Sequence, residues 1–344
     1  MSLNFVDGTY GFTFDDVLLQ PKHSTIKSRK DVDLSVNLGK DIILNIPIIN
    51  ANMKHVANYK LCLELVKLGG LALLHRFADN PVIDQIQLFQ DLIDEDKKYI
   101  NNIGVSIGIQ KSDLDNVGTF IANGVRVICL DVAHADSNHT IDIIKDIKSK
   151  YGNKILLIAG NVAVDSGFAN LARAGADVIK VNIGSGSICT TRIETGNGVP
   201  ALTALSNIYE CMEEYYPNVK IIADGGLHNS GAITKALCFS HAVMLGNLLA
   251  RSDESPGEYT TVNGQKYKNY AGSSTFKNDN VEGVAGRVPC AGPVKNIIEK
   301  LLQGVRSGCS YQNAHNLEEL RKDPKFILLT SNGLVESKPH DILL

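Results

Sequence analysis

No stretch of 18 consecutive apolar residues occurs in the 344-residue chain, so the sequence offers no membrane-spanning helix. The start, MSLNFVDGTYGFTFDDV, carries acidic residues and lacks the apolar run of a secretory or transit signal. Seven cysteines (Cys62, Cys129, Cys189, Cys211, Cys238, Cys290, Cys309) form no CxxC and no Cys/His cluster at zinc spacing. An odd number scattered over this length argues against a disulfide framework and points to a reducing cytoplasm. An excess of one charge is missing too: Lys plus Arg is 34 against Asp plus Glu 37, a net −3 without long blocks. Nucleic acid and anionic membrane are therefore not expected as partners. HExxH is absent, which disfavours a metal hydrolase. GxGxxG and GxxxxGK[ST] are absent as well, which does not exclude a nucleotide ligand on another fold.

What is present is ordinary globular composition, 44 % apolar and 21 % charged, arranged as a repeated alternation. Short β-branched runs predict strands at 46–49, 71–74, 103–109, 127–130, 155–159, 178–181, 219–223 and 242–245, each followed by a stretch at helical spacing. Runs such as ILLIA and VIKV are apolar on both faces, as in a parallel sheet covered on both sides. Eight such units predict an α/β fold, a (β/α)8 TIM barrel formed as a single domain over 1–344. Asn50, Asn52, His75, Gln110, Asp131, Asn161, Gly184, Asp224 and Gly246 follow strand ends and would converge at the C-terminal mouth. Two insertions stand out: a loop at 184–200 after strand six, and a flap at about 256–290 after strand eight, rich in Gly, Ser, Asn and Lys, that reads as mobile. A C-terminal tail is expected from about 309 to 344.

Asp224-Gly225-Gly226 and Gly246-Asn247 place small residues in the two loops where barrels commonly hold phosphate, with Asp224 beside them to accept from ribose hydroxyls. Cys189 lies in the polar loop GSGSICTTR; backbone N–H groups and the nearby Arg192 would favour thiolate, and a nucleophile is expected there. Cys62, Cys129, Cys211 and Cys238 read as small buried apolar residues. Tyr270, Ser273, Ser274 and Glu282 could reach over the mouth from the flap, and His75, His134 and His228 are candidate acid–base groups. Lys180, within VIKVN, reads as a helix–sheet packing residue and not as a Schiff-base lysine.

FTFDDVLLQPKHST, IINANM, LDVAH, GSGSICTTRIETGNGVP, IADGG, MLGNLLARSDESPGE and NVEGVAGRVP occur in that order. Together they resemble the IMP dehydrogenase/GMP reductase family over nearly the whole chain. The resemblance implies a homotetrameric barrel that converts a purine nucleoside monophosphate with a nicotinamide cofactor. It implies Cys189 as the nucleophile at purine carbon 2, forming a thioimidate, with Thr191 and Glu282 handling the departing ammonia. Ser187, Gly226, Gly246, Asn247 and Tyr270 match phosphate contacts and Asp224 the ribose contact, with Gly225, Gly272 and Ser273 completing the nucleotide site. Asp131, Val132, Ala133 and Asn161 fall on the cofactor side, and the carbonyls of Gly184, Gly186 and Cys189 match a potassium loop.

Two absences point to the reductase branch, with GMP and NADPH giving IMP and ammonia. One helix of chain, and no CBS pair, separates strands two and three, and no Arg-Tyr pair occurs between Asn247 and Glu282 where a dehydrogenase flap activates water. The alternatives are a CBS-less IMP dehydrogenase using NAD and a non-catalytic nucleotide-binding member. Lys54, His55, Asn197, Ala201 and Ser273 depart from the family pattern.

Overall fold

The computed structural model describes residues 10–272 and 282–339. Eight parallel strands form the central sheet: β1 (Ile48–Asn50), β2 (Ala72–Leu73), β3 (Ile103–Ile107), β4 (Val127–Asp131), β5 (Leu156–Val162), β6 (Val178–Val181), β7 (Lys220–Asp224) and β8 (Ala242–Leu245). Each pairs with its sequence neighbour from β2 to β8, and β8 pairs with β1. The Ile49–Leu71 bridge joins β1 to the β2 edge, so the sheet closes into the expected (β/α)8 barrel. β1 starts at Ile48, two residues later than expected, because Pro47 has no N–H for the ladder; its carbonyl accepts from Val243 N. β3 ends at Ile107, two residues early.

Helices α1 (Tyr59–Lys67), α2 (Pro81–Glu95), α3 (Val117–Ala122), α4 (Asn138–Tyr151), α5 (Asp165–Ala174), α6 (Ala201–Tyr215), α7 (Ser230–Leu237) and α8 (Val294–Tyr311) surround the barrel. Local chemistry starts several of them: Asn58, Ser137 and Asn229 accept from Leu61, Thr140 and Ala232 N–H, and Pro81 opens α2. α8 runs to Tyr311, so the C-terminal tail begins after it, and residues Phe326–Leu328 pair antiparallel with Val17–Leu19.

Alternation along each strand separates two cores. Ile48, Ala72, Ile128, Leu157, Ile179, Ile221 and Val243 pack outward against the helices. Ile49, Leu71, Leu73, Val127, Cys129, Leu156, Ile158, Val178, Ile222, Ala242 and Met244 fill the interior. A hairpin of Val36–Gly39 and Ile42–Leu44, not anticipated from the sequence, adds Val36, Leu38, Ile42 and Leu44 to that inner core from the N-terminal end. Arg126, just before β4, donates to Lys40 O in its turn.

Asn50, expected at the mouth, is instead a seam residue. Its Nδ2 donates to Ala51 O (3.0 Å) and Leu73 O (2.9 Å), and its Oδ1 accepts from Leu73 N (2.9 Å). These bonds join β1 to a β2 only two residues long. Asn50→Ala removes them and strands buried backbone groups of Leu73; it should cost about 2–3 kcal/mol, read as a lower urea midpoint at unchanged slope.

Candidate active site

The parity that makes the barrel interior apolar turns polar at the C-terminal ends: Cys129 is followed two residues on by Asp131, Val178 by Lys180 and Ile222 by Asp224. These side chains form the floor of the mouth. Lys180 Nζ is 2.6 Å from Asp131 Oδ1 and 3.5 Å from Asp224 Oδ2, with its side chain 2 % exposed. Lys180 therefore points into the barrel, and the expected helix–sheet packing role is corrected: residue 179, not 180, faces the helices. Burial alone would lower the Lys180 ammonium, but the Asp131 and Asp224 carboxylates outweigh it and hold the group above its ordinary range. Burial would likewise raise the Asp131 carboxyl; Lys180, Arg76 and the Asn52 amide outweigh it and hold it below the usual range. Gly160 on β5 leaves room for this arrangement, since a Cβ there would lie 2.6 Å from Lys180 Cβ.

Over the floor lies the cysteine loop. Cys189 Sγ is 3.0 Å from Thr191 Oγ1, which donates to Glu282 Oε2 at 2.5 Å. The returning flap brings the carboxylate there: Thr190 N donates to Glu282 O, Val284 N to Ile188 O, and Cys189 bridges Gly283. Glu282 is thus tied to the loop and is not a solvated side chain. Arg192 does not serve the thiol as expected: its guanidinium donates to Ile183 O (3.0 Å) and Val199 O (2.6 Å), clamping the two ends of the loop. Burial pushes the thiols of Cys62 and Cys129 up to about 12, and Cys309 likewise, which leaves them poor nucleophiles. Cys211, expected buried, is only half-buried, as are Cys189 and Cys290.

Two adjoining hollows open at the mouth. The first, about 380 Å³, is lined by Met53, Asp131, Val132, Ala133, Asn161, Gly184, Cys189 and Thr191 among others. The second, about 350 Å³, shares Gly186, Asp224 and Gly225 with it and adds Ser187, Gly226, Gly246, Asn247, Arg251 and Tyr270. Asn247 Nδ2 donates to Ser187 Oγ at 3.2 Å, and Arg251 Nε holds Asn247 Oδ1 at 2.9 Å. Burial pushes the Tyr270 hydroxyl up, partly offset by its hydrogen bond to Ser187. That hydroxyl requires Gly246, where a Cβ would approach within 2.7 Å. The flap strands Tyr259–Val262, Gln265–Ala271 and Ala285–Pro289 carry Tyr270 inward, and Gly272 is buried just after them. Ser273 and Ser274 lie outside the described residues.

Of the other expected residues, Asn161 Nδ2 reaches Asn182 O and Asp224 Oδ2, both at 2.9 Å, so it braces the Asp224 carboxylate. Asp131 is occupied by Lys180, which leaves Val132 and Ala133 as the open wall on that side. Gln110 is an exposed residue opening a short helix, and His75 accepts from Phe77 N; neither lines the mouth. His134 is exposed, and exposed His228 pairs with Asp15 at 3.2 Å. Burial and the Lys54 ammonium push both His55 and His75 below the ordinary imidazole range. Asn197 caps its own turn through Thr195 and stays exposed.

Three residues were missed. Arg251 lines the second hollow and Arg76 the first, the latter with its Nε buried and unbonded. Asn182 is 2 % exposed at φ +134, with neither side-chain polar atom bonded. A buried amide without partners in a strained backbone is a place for a ligand. Its sequence signal was weak: one polar residue directly after β6.

The carbonyls of Gly184, Gly186 and Cys189 are neutral oxygen donors, and no cluster of three His, Cys, Asp or Glu that could hold a metal occurs among the described residues. That donor chemistry fits a monovalent cation and not a divalent one. No helix among the described residues is long and apolar enough to cross a membrane.

Residues 11–340 match the model of the IMP dehydrogenase / GMP reductase domain. A protein of Nitrosopumilus maritimus named inosine-5'-monophosphate dehydrogenase is 29 % identical over 473 aligned positions, covering 97 % of this chain and 99 % of that protein. Proteins of the same name in Borreliella burgdorferi and Bacillus subtilis are 33 % and 31 % identical over 394 and 472 positions respectively, each alignment covering 96 % of both chains. The alignments are longer than this chain, so the relatives carry stretches that it lacks.

Removing the floor cation should show its electrostatics. Asp131, depressed in the fold, contributes stability that is present above about pH 4 and lost as pH falls through its folded value; Lys180, raised, contributes below about pH 10.5. Lys180→Met leaves two half-buried carboxylates, each 21 % exposed, without their cation and should cost about 3 kcal/mol at pH 7. The deficit should shrink toward pH 4, where Asp131 protonates in the variant, as followed by thermal unfolding across pH. Asn182→Gly should relieve the backbone, leave melting unchanged or higher, and weaken ligand binding about tenfold in calorimetry.

Proposed function

The chain belongs to the IMP dehydrogenase / GMP reductase family, and from that premise we propose that it is a GMP reductase, an oxidoreductase that converts GMP to IMP and ammonia at the expense of NADPH. One observation carries the reading. The thiol, hydroxyl and carboxylate of Cys189, Thr191 and Glu282 form a continuous chain, while the stretch from Asn247 to Glu282 holds no Arg-Tyr pair to activate water.

In this reading the second hollow takes the phosphate, on Ser187, Gly226, Gly246, Asn247 and Tyr270, with Arg251 supplying charge. Asp224, braced by Asn161 and Lys180, accepts from the ribose hydroxyls. The purine then lies over the first hollow, with its carbon 2 toward Cys189. Sγ bonds to carbon 2; its proton passes through Thr191 Oγ1 to Glu282 and on to the amino group, whose C–N bond breaks as ammonia leaves. Val132 and Ala133 would hold a nicotinamide, which would supply the hydride for carbon 2. The C–S bond then breaks as IMP forms, and the thiolate regains a proton taken up from solvent through Glu282 and Thr191. The carbonyls of Gly184, Gly186 and Cys189 would hold potassium and keep the loop in shape.

A second reading, IMP oxidation with NAD, has its own support. The named relatives are IMP dehydrogenases, and the Borreliella burgdorferi protein aligns along 96 % of its length over only 394 positions, far fewer than the others. A 340 nm assay in potassium buffer separates the two. GMP with NADPH should lose absorbance with one ammonia released per turnover; a rise with IMP and NAD instead would establish the dehydrogenase.

Cys189→Ala should abolish turnover, by at least 1,000-fold, while GMP still binds within a few-fold, because the phosphate and ribose contacts lie elsewhere. Retained turnover ends the covalent mechanism. Glu282→Gln should lower kcat by about 100- to 1,000-fold with KM little changed, and a pure affinity loss would contradict its proton role. In the wild type, Cys189 should be alkylated faster than Cys62, Cys129, Cys238 and Cys309 and be protected by GMP, read by peptide mass mapping.

A further inference from the structure

A hollow of about 690 Å³, larger than either compartment of the mouth, opens at the opposite end of the barrel. Its walls come from five places in the chain: Asp33 to Asn37 lead into and begin the N-terminal hairpin, Lys220 opens β7, His241 immediately precedes β8, Arg321 ends the short helix Leu317–Arg321, and Tyr209 and Met212 belong to α6. His241 is 6 % exposed, and its Nδ1 accepts from Ile221 N at 3.0 Å. The neutral ring must then carry its proton on Nε2, a donor with no protein acceptor recorded among the described residues. Arg321 donates one N–H to Ser240 O at 3.2 Å. Neither Lys220 nor Arg321 has a carboxylate within 4.0 Å among the described residues.

The carboxylates that line the same hollow are otherwise engaged. Asp33 accepts from Ser35 N and Ser35 Oγ, both at 2.8 Å, Glu213 accepts from Tyr209 OH at 2.5 Å, and Glu318 lies 3.7 Å from Lys322. Two cations and the N–H of a largely buried imidazole thus converge with no carboxylate in ion-pair contact, Glu318 acting on both cations and Glu213 on Arg321 only from farther off, beside an aromatic ring and a thioether. That combination matches a phosphate dianion carried on a flat or apolar body, and the volume is that of a small-molecule site.

We propose that this hollow binds a phosphate monoester, with the phosphate on Lys220, Arg321 and the Nε2–H of His241 and the body against Tyr209 and Met212. Burial and the Arg321 charge push the Lys220 ammonium below its ordinary range, and burial with both cations pushes His241 well below its own. A bound dianion reverses the repulsion between the cations. β7 runs from Lys220 at this site to Asp224 at the mouth, about 13 Å at strand rise, so the two sites share one strand.

The chain has no tryptophan, so Pro217→Trp, at an exposed position on the rim, creates a single fluorophore that reports on this end alone. Inorganic phosphate and AMP are the probes. Both should change the emission saturably, AMP at least tenfold more tightly, and adding Lys220→Gln should weaken both at least tenfold while the melting temperature stays within a few degrees. Arg321→Gln, melted in parallel because the residue is largely buried, should weaken binding in the same way. No saturable change with either probe, or unchanged affinity in a folded Lys220→Gln protein, overturns the site. Phosphate binding without any gain for AMP overturns the monoester assignment in favour of orthophosphate.

Discussion

One buried ammonium organises the working end of this barrel. Lys180 Nζ ties β6 to Asp131 at the end of β4 and to Asp224 at the end of β7, and the Asn161 amide extends the set to β5. A charge so deeply buried is tolerated because two carboxylates surround it; removing any one member leaves the others costly. The C-terminal ends of β4, β5, β6 and β7 are tied together by that floor. Asp224 in particular is held by two partners, the Asn161 amide and the Lys180 ammonium.

The cysteine loop rests on this floor and is stiffened from two directions. Arg192 closes its base by binding carbonyls at both ends, and the returning flap lays Glu282 and Val284 along it. The consequence is chemical: the hydroxyl lies between thiol and carboxylate in one hydrogen-bonded chain along which a proton can pass either way. The flap itself is anchored by Lys268, whose ammonium donates to the carbonyls of Ser252, Asp253 and Ser255. The anchor of the flap and the contact of Glu282 with the cysteine loop therefore belong to the same segment.

The two ends of the barrel divide its labour. At the N-terminal end an apolar hairpin adds to the inner core, and a cation-lined hollow sits beside it. At the C-terminal end the interior residues are polar and face two hollows of contrasting character, one against Val132 and Ala133, the other built of glycines, Ser187, Asn247 and Arg251. A ligand with a planar base at one end and a phosphate at the other is complementary to that pair.

Sequence alone determined the eight strands, because strands buried on both faces must read as short continuous apolar runs, and it located the cysteine loop and the two glycine turns, because backbone that approaches a ligand needs small residues. It also carried the family resemblance through ordered motifs. Only the tertiary structure decided the direction of side chains whose neighbours are distant in the chain. Lys180 faces inward by strand parity, which a one-residue uncertainty in register inverts. Glu282 meets Thr191 across 91 residues, and Arg192 turns away from the thiol it adjoins in sequence. Asn50 became a seam and Asn182 an unpaired amide from the same local signal, a polar residue at a strand end, since burial and hydrogen-bond partners are set by the whole barrel and not by the residues on either side.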